Sequence, residues 1–102
     1  MYSVHLEPVT DYRHPQEKPI AWVARCYKAE DALEAYRHKM EYVNSVTLHR
    51  KCLNICEAKG LVGTPNRQQF TALMRALPSI GVEILEIERH GKIHIYESKD
   101  FL

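Results

Sequence analysis

Apolar and polar positions alternate at the start of the chain. Tyr2, Val4 and Leu6 interleave with Ser3, His5 and Glu7, which predicts a half-buried strand ending before Pro8. Residues 9–19 are polar with two prolines and read as a loop. A second strand is predicted over residues 20–27, with Ile20, Trp22, Ala24 and Cys26 on one face. Ala21 and Val23 make its other face partly apolar, so both sides are expected to be covered. Trp22, the single tryptophan, is expected to anchor the core.

The period then lengthens. Leu33, Tyr36, Met40 and Val43 form a helical stripe, and Glu30, Asp31 and Glu34 precede Arg37, His38 and Lys39, an order that suits the helix dipole. A helix is therefore predicted over residues 29–43. The next stripe, Leu48, Cys52, Ile55 and Cys56, has a new phase, which predicts a break at Asn44–Ser45. The second helix would run to Lys59, with Gly60 as a left-handed cap. A third is expected to start on Thr64 as N-cap and Pro65 at its first position, to bury Phe70, Leu73, Met74 and Leu77, and to end at Pro78. The rest reads as a hairpin. A three-residue loop of Arg89, His90 and Gly91 would pair Ile87 with Ile93 and Leu85 with Ile95, giving one apolar face. The expectation is one α+β domain over residues 1–102, in the order β-β-α-α-α-β-β. Its N-terminal strand pair occupies residues 1–28, and three helices and a C-terminal hairpin occupy residues 29–97.

Composition places this domain among ordinary globular chains, with 45% hydrophobic and 26% charged residues. There is no run long and apolar enough for a membrane span, and the first residues do not read as a secretion signal. Three cysteines, an odd number, read as reduced thiols, which predicts a cytoplasmic protein. The net charge of +1 hides an uneven spread. Residues 44–81 carry Arg50, Lys51, Lys59, Arg67 and Arg75 against Glu57 alone, a local positive excess that would attract polyanions.

The spacing of the third helix resembles the winged helix-turn-helix superfamily. In that superfamily apolar residues of the third helix stand four and then three apart. A glycine follows four further on, then an apolar residue that opens the first wing strand. Phe70, Met74, Leu77, Gly81 and Val82 match this register, and Cys56 and Gly60 match the small residue and glycine of the second helix and its turn. The likeness covers about residues 30–97. It implies a winged-helix core whose third helix enters the major groove of duplex DNA and whose hairpin tip touches phosphates.

On the residues themselves, Arg67, Thr71 and Arg75 lie opposite the apolar stripe, and Asn66, Gln68 and Gln69 flank Arg67. Arginine can bond guanine bidentately, and asparagine or glutamine can bond adenine. Arg89 and Lys92 at the hairpin tip would position the backbone without reading sequence. No phosphate-binding loop, nucleophile elbow or calcium loop is present. His49, Cys52 and Cys56 would share one face of the second helix, but a structural zinc needs a fourth ligand, so neither metal nor cofactor is expected. The expectation is a non-enzymatic, homodimeric DNA-binding protein, a regulator of transcription or replication in a phage or mobile element. The alternative is a small adaptor or inhibitor that docks on a larger complex through its edge strands, acidic hairpin and tyrosines, without nucleic-acid contact.

Overall fold

The computed structural model describes residues 1–9 and 19–102. The loop expected between the first two strands falls almost wholly on residues 10–18, outside the described ones. The strands are β1 (Ser3–Val9), β2 (Ala21–Tyr27), β3 (Asn44–Cys52), β4 (Ile55–Val62), β5 (Ile84–Arg89) and β6 (Lys92–Glu97). They form one six-stranded sheet in chain order. All neighbours are antiparallel except β4 and β5, which run parallel. That crossover contains α2 (Arg67–Ala76) and a 3-10 turn over Leu77–Ile80, while α1 (Ala32–Arg37) separates β2 from β3. A second 3-10 turn, Ser98–Phe101, closes the chain.

The three-helix expectation is thus corrected. Residues 44–62, expected to form the second helix, are a hairpin of two strands. Two periods compete in this segment. The helical stripe Leu48–Cys52–Ile55–Cys56 is one; the alternation Val46, Leu48, Arg50 against Cys56 and Ala58 is the other. The second wins because Leu48, directly opposite Trp22 on one side and Ala58 on the other, is fully buried at the centre of the sheet. Gly60 does adopt the left-handed conformation, at φ +62°, but as a bulge in β4, where the register against β3 shifts between Ser45 and Thr47.

The first helix is also shorter than expected. Asp31 caps it, accepting from the backbone N–H groups of Leu33 and Glu34 at 3.0 and 3.2 Å. Lys39 ends it in the left-handed region at φ +54°, with the Met40 N–H returning to the Ala35 carbonyl. Its buried residues are Ala32 and Ala35, packed with Tyr27, and not the stripe Leu33, Met40 and Val43, all of which are exposed. The third helix has the expected stripe, with Met74 and Leu77 fully buried and Phe70 and Leu73 against the same core. Its cap, however, is Asn66 rather than Thr64. The Asn66 side chain accepts from the Gln69 N–H at 2.8 Å, and the Gln69 side chain accepts from the Asn66 N–H at 3.0 Å.

The hairpin turn has two residues, not three. His90 and Gly91, both at positive φ, join strands in which Arg89 pairs with Lys92 and Ile87 with His94. A three-residue loop would give one apolar face, but β6 is an edge strand and leaves Ile93 and Ile95 61% and 65% exposed.

One face of the sheet carries the main core: Val4 and Leu6 of β1, Trp22 and Ala24 of β2, Val46 and Leu48 of β3, Cys56 and Ala58 of β4, Leu85 and Ile87 of β5. Helix α2 lies on this face over β1 and β2. Residues of α1 form the second, smaller cluster with Tyr27, whose position in β2 alternates with Trp22, Ala24 and Cys26. Arg50 ties the main face together. Its guanidinium lies 5.0 Å from the Trp22 ring centre, and its two terminal nitrogens donate to the carbonyls of Leu53 and Ile80.

Candidate functional site

Because α2 covers the β1–β2 half of the main face, a cleft remains between the helix and the upper ends of β3, β4 and β5. It has a volume of about 550 Å³. Its apolar lining comes from Val46, Ala58 and Ile87 of the sheet, Leu61 and Pro65 at the rim, and Phe70 and Leu73 of α2. That size and lining are those of pockets that take an apolar group of a partner or ligand. Phe70 is held edge-on by Tyr96 and Phe101, with ring centres 4.9 and 5.4 Å away, so this wall of the cleft is fixed by packing.

The polar part of the lining is Asn44, Lys59, Gln69, Glu88, Arg89 and His90. The Asn44 amide donates to Gln69 Oε1 at 2.9 Å, the same oxygen that accepts from the Asn66 N–H, so one atom links β3 to the start of α2. Gly63 makes this approach close: a Cβ there would lie 3.0 Å from the Val43 carbonyl oxygen and 3.1 Å from Asn44 Cβ, at φ +90°. Arg89 and His90 stand at the mouth. Among the described residues Arg89 has no ion pair, whereas the Lys59 ammonium is 3.3 Å from Glu57.

The residues expected to contact DNA, on the helix face and at the hairpin tip, divide into groups with different surroundings. Asn66 and Gln69 form the capping box just described. Arg67, Gln68, Thr71 and Arg75 line a shallow groove between α2 and residues 1–4. Within it, Arg75 Nε donates to the Phe101 carbonyl at 2.6 Å, and Thr71 is half-buried. Arg89 and Lys92 close the hairpin on the cleft side of the helix. Arg67, Gln68, Arg89 and Lys92 are thus exposed, with no side-chain hydrogen bond among the described residues, and they lie on two sides of α2.

His49, Cys52 and Cys56 do not share a helix face. His49 and Cys52 are exposed, and Cys56 is fully buried in the main core. Burial pushes the thiols of Cys26 and Cys56 above their ordinary range, and in Cys56 the nearby Arg50 partly opposes the rise. Among the described residues, no three His, Cys, Asp or Glu side chains converge to hold a metal ion.

The cleft itself was missed because its walls come from four elements whose adjacency depends on the parallel β4–β5 pairing. The available signal was Leu61 and Ile87, apolar residues beside Gly60 and the Arg89–Lys92 turn. No family model, curated protein or solved structure matches the chain.

Proposed function

We propose that this chain is a non-enzymatic protein-interaction module that receives an apolar segment of a partner in the cleft beside α2. The observation that carries the reading is the cleft: an opening of about 550 Å³ with seven apolar lining side chains and, at its mouth beside Glu88, the cation Arg89, which has no ion pair among the described residues. A fixed apolar socket with a charged rim is the arrangement that anchors one buried side chain and orients its neighbours. Arg89, which shares the rim with Glu88, is the group that would pair with an acidic residue beside the apolar anchor.

The nucleic-acid reading draws less support. It needs one continuous face of polar and basic side chains on an inserted helix, and the capping box and the Phe101 carbonyl already engage Asn66, Gln69 and Arg75.

The test is selection of random peptides displayed on phage against the wild-type chain, followed by titration of the enriched peptides against Leu61→Glu and Arg89→Glu. Both positions are exposed, so folding is retained. Enriched peptides should carry an aliphatic or aromatic residue next to Asp or Glu, and each substitution should weaken them at least about tenfold, about 1.4 kcal/mol. An absence of enrichment, or peptides indifferent to both substitutions, overturns the reading.

A further inference from the structure

The two edges of the sheet are treated differently. Edge strand β1 carries Pro8 and is overlaid by α1, and the Ser3 hydroxyl donates to the Ala29 carbonyl at 2.6 Å. Pro8 stands opposite Trp22, in a strand whose even-numbered residues turn their carbonyls toward β3, as Ile20 and Cys26 do in accepting from Arg50 and Val43. The missing N–H of Pro8 therefore falls on the open side. Proline and a covering helix are both known defences of a sheet edge.

Among the described residues, edge strand β6 has neither. Its sequence KIHIYE contains no proline and pairs with β5 without a register shift. In a two-residue hairpin the closing pair, here Arg89 and Lys92, is hydrogen-bonded, and hydrogen-bonded and open positions then alternate. His94 and Tyr96 therefore direct their backbone groups at β5. Ile93 and Ile95 direct theirs outward, and these are also the two largely exposed isoleucines of the strand. Open backbone groups and exposed β-branched side chains coincide on the same two residues.

We infer that β6 pairs antiparallel with β6 of a second copy of this chain, about a two-fold axis at His94. Side-chain alternation restricts the register. With the axis perpendicular to the sheet, residues directly opposite must lie on the same face, so an odd-numbered residue meets an odd-numbered one. Centring on His94 sets Ile93 against the partner's Ile95, and Ile95 against the partner's Ile93. That gives four backbone hydrogen bonds and a cluster of four isoleucines, with Lys92 opposite the partner's Tyr96. No like charges oppose one another in this register. Centring on Ile95 instead sets Ile93 against the partner's Glu97, which leaves an apolar side chain beside a carboxylate. The self-match of the strand thus selects both the occupant and the register.

In this register His94 faces the partner's His94 in an open pair, with Cα atoms about 4.5 Å apart. That separation accommodates a disulfide. The experiment uses the chain with Cys52 changed to Ser, to remove the exposed native thiol, and adds His94→Cys or, separately, Ile95→Cys. Under mild oxidation His94→Cys should form a covalent dimer, at least tenfold faster than Ile95→Cys. Sedimentation of the wild type should show a reversible dimer in the high-micromolar range, lost in Ile93→Lys without a change in melting temperature of more than a few degrees. Faster cross-linking of Ile95→Cys overturns the register. A wild type that stays monomeric at millimolar concentration, or an Ile93→Lys variant that dimerises normally, overturns the pairing. None of these outcomes depends on what the α2 cleft binds.

Discussion

Arg50 shows at the scale of one residue how this small core is held. Its terminal nitrogens serve the β3–β4 turn and the 3-10 turn after α2, and its plane covers Trp22. Among the described residues its Nε is the one buried side-chain nitrogen or oxygen without a partner. Two charge-assisted bonds of about 1.5–3 kcal/mol each outweigh one unsatisfied donor of about 1–3 kcal/mol. Arg50→Ala should therefore lower stability by about 2–3 kcal/mol in a urea melt. A loss below about 0.5 kcal/mol would mean that these bonds are solvent-exchanged. Arg75, placed by the sequence pattern on the helix face opposite the core, is a second such tie. As the donor to the Phe101 carbonyl, its replacement by Ala should cost about 1 kcal/mol. The buried thiols set a pH dependence. Cys26 and Cys56 hold their protons more tightly in the fold than in the unfolded chain, so their stability contribution is full below their ordinary pKa of 9.0. It is lost as pH rises above that value, because the unfolded chain releases those protons first. Urea midpoints measured at about pH 8 and about pH 10 should fall with pH, and a Cys26→Ala, Cys56→Ala variant should show a smaller fall.

At the scale of elements, what could be read in advance depended on whether local pattern and tertiary environment agree. They agree in β2, where Trp22, Ala24 and Cys26 are all buried on one face, and in α2, where Met74 and Leu77 fill the core. They disagree over residues 44–62. Leu48, Cys52, Ile55 and Cys56 are spaced like a helix stripe, yet Cys52 is exposed and Ile55 half-buried, while Val46, Leu48 and Cys56 are buried. The deciding interactions are with β2 and β5, far along the chain, and no local period encodes them. The hairpin turn departs from the local pattern for a related reason. A register that puts Ile93 and Ile95 on the apolar face satisfies the pattern, but an edge strand carries no such requirement. The α2 start offers a sharp check. Asn66→Ala removes the capping bond to Gln69 and loosens the oxygen shared with Asn44, so it should cost about 1–2 kcal/mol. Thr64→Ala, at the cap position that the sequence pattern predicts, should cost less than about 0.5 kcal/mol. Equal losses from the two changes would return the helix start to Thr64.

At the scale of the whole molecule, the cleft and the open edge meet at the β5–β6 hairpin. A two-fold axis perpendicular to the sheet keeps the main face of both copies on the same side, so the inferred dimer presents two α2 clefts in one direction. A partner carrying two apolar segments would then bind with avidity gained from effective concentration and no new contact. The charge distribution separates this picture from nucleic-acid binding. The net charge is +1, and the exposed candidates Arg67 and Gln68 lie beside the start of β1 while Arg89 and Lys92 lie across the helix at the hairpin tip. Binding to duplex DNA through phosphates requires several cations on one surface, each adding about one unit to the salt slope. The chain is therefore expected to elute early from heparin at physiological salt and to show no saturable binding in a duplex titration at about 50 mM salt, where such contacts are strongest. Arg67→Ala and Arg89→Ala should leave that baseline unchanged. Only Arg89, at the cleft mouth, should affect binding of an acidic, apolar peptide. Saturable duplex binding that falls by about 1–3 kcal/mol with Arg67→Ala would reverse the assignment and return the helix to the role of reader.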